Sequence, residues 1–358
     1  MDLVSVVVAS FLVCTTLLFV LRPLAAAVGL MDRPGGHKKH SGEVPVIGGI
    51  AIFFGAALAA LGGEDLGQHG LMLLVTAGML VGLGAVDDRF DLPASVRLMG
   101  HLTAAMLLIY GSGLRVHELG NLFGFGVVSL GVFAWPFTVV ACMALINAFN
   151  MLDGMDGLAG GVAVVAFAGM VVLAGGHGGA PTVLLLATSM VGALSAFLLF
   201  NLPASFNRRV RTFMGDAGST LLGFVLAALA LRLVQPDRAA ISPVCVLWLV
   251  PIPIFELFAS TTRRALQGKS PLAADNGHFH HRLMAAGFSV RAIFFTYFCF
   301  SVLSVAVGVL GCRSGASEAW LFAGFGLLFA GWMGFVAAAP RVAQYLPHGW
   351  HRHHQTWA

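Results

Sequence analysis

The stretch that decides the fold runs Leu130-Gly-Val-Phe-Ala-Trp-Pro-Phe-Thr-Val-Val-Ala-Cys-Met-Ala-Leu-Ile146, then Asn147-Ala-Phe-Asn150-Met-Leu-Asp153-Gly-Met-Asp156-Gly157, then apolar again from Leu158 to Ala174. Two runs long enough to cross a bilayer as helices flank a short polar hinge. Two carboxylates and two carboxamides at the mouth of a membrane helix are costly unless a cation or polar ligand uses them. Asn147 and Asn150 share a helical face, as do Asp153 and Asp156, being three apart. An N-cap role for Asp153 or Asp156 would explain one acid, but not both together with the two asparagines.

The pattern repeats along the whole chain. Of its 358 residues, 58% are hydrophobic and 10% charged, with a mean hydropathy of +0.89. A soluble domain carries roughly 25% charged residues. Eleven candidate spans can be marked: 3–21, 45–62, 70–86, 98–112, 130–148, 158–174, 181–200, 219–234, 241–261, 292–311 and 318–338. The expected fold is therefore all-α, a polytopic integral membrane protein of about eleven transmembrane helices, or ten if one short run fails. With the N-terminus outside, sixteen Lys/Arg residues fall on the cytoplasmic side and four outside, which sets that orientation. The first run lacks a basic leader and is followed by Arg22, so it reads as an anchor and not a cleaved signal. Residues 1–340 read as one transmembrane domain and 341–358 as a cytoplasmic, histidine-rich tail.

The net charge of +4 is the cytoplasmic excess and suits an anionic leaflet. Basic residues scattered over five segments exclude a nucleic-acid surface. The five cysteines (14, 142, 245, 299 and 312) show no CxxC spacing and are read as packing residues without a disulfide.

Three further polar clusters sit at span ends. Asp87-Asp88-Arg89-Phe90-Asp91 follows the third span. Adjacent carboxylates repel unless a cation bridges them, and hard oxygen ligands suit Mg²⁺ when substrate phosphates complete the shell. A solvated loop neutralised by Arg89 and Arg97 accounts equally well for this cluster alone. Phe213-Met-Gly-Asp216-Ala-Gly-Ser219-Thr220 opens the eighth span. Ser219 or Thr220 could cap that helix, whose N-terminal amides favour an anion. Asp275-Asn-Gly-His278-Phe-His280-His281-Arg282 offers several donors to phosphate or sugar hydroxyls. Zinc is the competing reading there, but no cysteine accompanies the histidines. His37-Lys38-Lys39-His40 is a smaller basic group that a positive-inside anchor also explains.

Taken together and in this order, DDRFD, NAFNMLDGMDGL, FMGDAGST and HFHHRL resemble the polyprenyl-phosphate N-acetylhexosamine-1-phosphate transferase superfamily, of the glycosyltransferase 4 type. The resemblance runs from about Val28 to Ser289. It is closest to the bacterial branch that loads N-acetylglucosamine 1-phosphate onto undecaprenyl phosphate for O-antigen and related polysaccharides. VGLMDRPGGHKKHSGEVPVIGG, ISPVCVLWLVPIPIFE and the hexosamine-type histidine motif look like that branch. Glu256 departs from it, since relatives commonly carry an aspartate there, one methylene shorter.

The resemblance implies a Mg²⁺ or Mn²⁺ enzyme at the cytoplasmic face of the inner membrane. Undecaprenyl phosphate would attack UDP-GlcNAc, releasing UMP. Asp216 would bind the metal with Asn150 assisting. Asp87 and Asp88 would face the lipid phosphate, and Asp153 and Asp156 would hold the nucleotide or line the reacting centre. Asn147, Phe213, His278, His280, His281 and Arg282 fall to substrate binding, with Lys39 and His40 as further phosphate candidates. Direct displacement and an aspartyl-phosphate route both fit, the former preferred. The membrane lipid is a partner, nucleic acid is not, and the resemblance leaves room for a homodimer. UDP-GalNAc or another UDP-HexNAc is the alternative donor. An intramembrane prenyltransferase would need neither GDAGST nor the histidine loop. A transporter would place ionisable groups near mid-membrane instead of at one face.

Overall fold

The computed structural model describes residues 2–32, 42–63, 66–175, 180–202, 211–235, 241–270, 277–345, 347 and 350. Its elements are α1 (Leu3–Val28), β1 (Met31–Asp32), β2 (Val44–Pro45), α2 (Gly48–Leu61), α3 (Gly67–Phe90), α4 (Ala94–Ser112) and α5 (Ala134–Leu152). They continue with α6 (Leu158–Gly175), α7 (Pro181–Asn201), α8 (Gly215–Leu233), α9 (Pro243–Leu249), α10 (Pro251–Leu266), α11 (Phe279–Ala285), α12 (Val290–Arg313) and α13 (Glu318–Ala343). The all-α polytopic expectation holds.

Among the described residues nine helices are long and apolar enough to cross a membrane, and ten if α9 and α10 count as one broken span. Two of the eleven sequence spans change character. The run 45–62 yields α2, of only 14 residues. At 1.5 Å per residue this is about 21 Å, shorter than a hydrocarbon core of about 30 Å. The chain still passes from one end of the bundle, where Gly48 meets Phe213, to the other, where Gly63 meets Leu185. The preceding Val44 and Pro45 are drawn instead into an antiparallel ladder, Met31 opposite Pro45 and Asp32 opposite Val44. The run 241–261 breaks between α9 and α10, which meet at 89°. Pro251 and Pro253 lack the N–H groups that would carry the helix through.

Two of the helices start on side-chain caps. Asp2 Oδ1 accepts from Ser5 N–H at 2.7 Å to start α1, and Gly29 closes it in the left-handed region. Ser289 Oγ accepts from Ala292 N–H to start α12.

The bundle is built round α8, whose residues 217–231 are buried without interruption. Helices α1 and α13 lie at the periphery and expose Val4, Leu12, Trp320 and Leu327, as lipid-facing helices can. α3 reaches α8 through Gly84, where a Cβ would come within 2.4 Å of Ala217 Cα. Only hydrogen fits between those two backbones. β2 continues this packing: Phe213 N–H donates to Pro45 O at 2.9 Å, and Gly48 N–H returns to Phe213 O at 2.9 Å. The start of α8 is thereby tied to the chain entering α2.

The reading of all five cysteines as packing residues needs correction. Cys245 of α9 and Cys312 of α12 form a disulfide with a Cα separation of 6.2 Å, while Cys14 and Cys142 are buried thiols. The partners stand 67 residues apart, so no local spacing announces them. Peptide mapping without reductant should recover the Cys245–Cys312 crosslink with Cys14, Cys142 and Cys299 free. Cys245→Ser should lower thermal stability, by on the order of 2–4 kcal/mol for a loop of this size; an unchanged transition would show the bond to be dispensable.

Candidate active site

Four polar clusters named from sequence meet, through their described residues, at one end of the bundle, and α8 begins among them. A helix leaves its first N–H groups without intrahelical partners. Here Asp88 of α3 takes them: Asp216 N–H donates to its Oδ1 at 2.7 Å and Ala217 N–H to its Oδ2 at 3.2 Å. The sequence assigned that task to Ser219 or Thr220. Those hydroxyls instead donate back to the Asp216 carbonyl, Thr220 at 2.6 Å, because they stand inside the first turn and not before it. The anion favoured by the α8 dipole is thus already supplied by Asp88.

Asp87, its neighbour, points elsewhere. Its Oδ1 accepts from Leu92 N–H at 2.7 Å, and Arg97 Nη1 lies 3.3 Å from its Oδ2. The same guanidinium reaches Asp216 Oδ2 at 3.8 Å. The neutralised-loop reading is therefore half right. Arg97 does serve Asp87, whereas Arg89 lies over the Phe90 ring and Asp91 is exposed in the left-handed region.

Asn150, near the end of α5, donates from Nδ2 to Asp216 Oδ1 and to Ser219 Oγ at 3.1 Å. Its side-chain oxygen remains available as an acceptor. Asn147 stands one turn earlier and half-buried, and among the described residues no hydrogen bond joins it to the acids.

Between α5 and α6, Asp156 pairs with Arg211, whose guanidinium also sits 5.0 Å above the Phe213 ring. Asn201 laces this loop to the α8 approach, accepting from Gly157 N–H at 2.7 Å and donating to Thr212 O at 2.8 Å. Asp153 has its carboxyl pushed well above the usual carboxylate range by burial first, then by the charges of Asp216, Asp88 and Asp156.

The histidine loop closes the site. His280 is buried against Gly154, where a Cβ would lie 2.6 Å from its Nε2, so residue 154 must be glycine for the two loops to touch. Neither ring nitrogen of His280 has a partner. Burial, then His281 and His278, push it down to about 3, so it stays neutral. His281 is half-buried beside it at 4.2 Å between ring centroids, and Arg282 is exposed. His278 Nδ1 contacts Glu256 Oε1 at 2.8 Å. Lys39, His40 and Asp275 lie outside the described residues. Of the strands that flank the first two, β1 pairs with β2, and β2 is hydrogen-bonded to the Phe213 segment.

Charge arithmetic bears on a metal. Asp87, Asp88, Asp153, Asp156 and Asp216 gather here with Arg97 and Arg211 as the contacting cations. The acids outnumber them, and repulsion of this kind is relieved by a divalent ion. Among the described residues no group of three His, Cys, Asp or Glu side chains is arranged to enclose one. Asp216 and the Asn150 oxygen form a partial, all-oxygen donor set. That suits an ion such as Mg²⁺, which keeps waters and takes substrate phosphates.

The family model for glycosyl transferase family 4 matches residues 70–234. Relatives named undecaprenyl-phosphate alpha-N-acetylglucosaminyl 1-phosphate transferase align over almost the whole chain. The protein of Yersinia pestis is 36% identical over 94% of this chain and 92% of its own length. That of Escherichia coli K12 is 36% identical over 89% and 86%, and that of Haemophilus influenzae 33% identical over 94% and 95%. The chain belongs to glycosyl transferase family 4. The matched segment holds Asp87, Asp88, Asp153, Asp156 and Asp216 but ends before Glu256 and the histidine loop. In this family 4 member, Asn201, Arg211 and Glu256 were not picked out from sequence as site residues. Each acts through a partner on a distant segment. The signal that could have found Asn201 is a carboxamide ending an otherwise apolar helix.

Proposed function

We propose that this protein transfers N-acetylglucosamine 1-phosphate from UDP-GlcNAc to undecaprenyl phosphate at the cytoplasmic face of the bacterial inner membrane, with Mg²⁺ or Mn²⁺, as the first membrane step of a cell-envelope polysaccharide. The observation that carries the reading is the convergence of Asp88, Asn150, Asp153, Asp216 and the histidine loop on the start of α8. The relatives' shared name supplies acceptor and sugar.

A phosphate monoester is largely dianionic at neutral pH and is already a nucleophile. The difficulty is bringing it to a diphosphate. Asp216 and Asn150 would hold the cation, which supplies positive charge where the three phosphates gather. Arg97 and Arg211 add fixed positive charge, and the Asp156–Arg211–Phe213 group offers a stacking face and a carboxylate to the nucleotide. The lipid phosphate oxygen attacks the β-phosphorus of UDP-GlcNAc, and UMP leaves. Direct displacement is favoured over an aspartyl-phosphate. Both oxygens of Asp88 accept backbone amides, and those of Asp87 are engaged by Leu92 and Arg97.

Two features support the orientation. One is the sixteen-to-four Lys/Arg asymmetry. The other is the disulfide, which closes the far end of α12, the 24-residue helix that follows the histidine loop. At 1.5 Å per residue that is about 36 Å away, in keeping with an oxidising compartment opposite the site.

The test is purified protein with undecaprenyl phosphate and a panel of UDP-sugars. UMP should form with UDP-GlcNAc, stop with EDTA and resume with excess Mg²⁺. UMP formation that ignores the chelator would remove the metal from the reading, and preference for UDP-GalNAc would change the donor.

A further inference from the structure

Three histidines crowd the start of α11, and one of them is tied to a carboxylate. Glu256, on α10, is 1% exposed and aims both oxygens at this turn. Phe279 N–H donates to Oε1 and Oε2 at 3.1 Å each, and His278 Nδ1 lies 2.8 Å from Oε1. An ionised carboxylate can only accept. Both oxygens of Glu256 accept from Phe279 N–H, and an acceptor role in the second contact as well would put its proton on His278 Nδ1. A carboxylate buried this deeply is costly without a cationic partner, and among the described residues His278 is its ion-pair contact. Tyr297 also faces Glu256 and is buried with its hydroxyl unpartnered among the described residues.

His280 differs from His278 in each respect. It has no carboxylate, no hydrogen bond and no exposure. His278 keeps part of its side chain open, and the bond at Nδ1 leaves Nε2 as its free nitrogen.

We infer that Glu256 is a positioning residue: it fixes the proton of His278 on Nδ1, so that Nε2 is presented to the anionic oxygens of the donor diphosphate. When Nε2 takes a proton from solvent and donates it in a hydrogen bond to such an oxygen, Glu256 balances the imidazolium. His280 serves as the neutral wall that seats the loop on Gly154. A carboxylate behind a histidine sets tautomer and ring orientation in the same way in many sites. Helix capping alone does not explain Glu256, because a neutral acceptor would serve Phe279 N–H as well. The inference rests on the transfer reading above for its substrate, but its geometry can be tested without turnover.

Two measurements decide it. In protein carrying ¹⁵N-histidine and reconstituted in nanodiscs, the signals lost in His278→Gln identify that ring. They should show Nδ1 protonated, and Glu256→Gln should move the proton to Nε2. A bare Nδ1 in the parent protein, or no change with Glu256→Gln, overturns the inference. On UMP release, Glu256→Gln should lower kcat by about tenfold to a hundredfold, with Glu256→Asp recovering part of the loss. In a His278→Ala background the same change should cost less than about twofold, since coupled residues are not additive. An equal loss in both backgrounds would reduce Glu256 to a cap. Parent protein that releases no UMP would sink the transfer reading, while the nitrogen signals still decide the tautomer.

Discussion

Asp216→Ala is expected to reduce UMP release by about a thousandfold or more while leaving the protein folded. Losing one group that stabilises developing charge costs about 10²–10³ in rate, and a lost metal ligand removes more. The fold should survive because the Asp216 backbone, not its side chain, starts α8. Its N–H is held by Asp88 and its carbonyl receives Thr220 and Ser219 whatever the side chain. Removing one of several clustered carboxylates also relieves repulsion, so melting in the absence of divalent ions should be unchanged or slightly higher. UMP release by the purified variant, read beside its thermal unfolding curve, checks both halves. Turnover within tenfold of the parent would take Asp216 out of the metal role.

Gly84→Leu should have the largest effect on stability. The new Cβ would meet Ala217 N and Cα at 2.4 Å and Asp216 C at 2.7 Å, all backbone, so no side chain can turn aside. Overpacking costs about 1–3 kcal/mol where neighbours can yield. Here α3 and α8 must separate, which points to more than about 3 kcal/mol, with Asp88 pulled from the amides it caps one turn away. Gly82, two residues earlier on the same helix, is exposed with nothing within 4 Å of its would-be Cβ. Gly82→Leu should be tolerated. Monodispersity in detergent and thermal unfolding of the two variants compare them directly, and similar stabilities would refute the packing argument.

The fold was legible wherever the signal is local. Apolar runs placed the long helices, and the four polar clusters were recognisable because acids at membrane-helix ends are rare. What escaped needed a partner far along the chain. The cap of α8 is 128 residues from the amide it binds, Asn201 reaches 44 residues back to Gly157, and Glu256 holds a ring 22 residues on. The cysteine pair failed for the same reason. The shortness of α2 and the bend between α9 and α10 escaped for another reason. Hydropathy sums over a window and cannot see that Val44 and Pro45 are drawn into a ladder, or that two prolines turn a span aside. Site membership was therefore easier to read than site wiring: Asp87 and Asp88 are adjacent in sequence and yet serve different helices.

The helix that carries Asp216 is enclosed by protein from Ala217 to Leu231. Its sheath is made chiefly by α2, α3 and α5, with α6 and α7 touching it less, and all of these precede it in the chain. During synthesis these helices emerge first, so a proteinaceous slot can be waiting when the ribosome delivers α8. A segment received by such a slot is excused from the oiliness demanded of one that must enter the bilayer unaided. That allowance lets this helix bring Asp216 at one end and Arg232 near the other into the membrane domain.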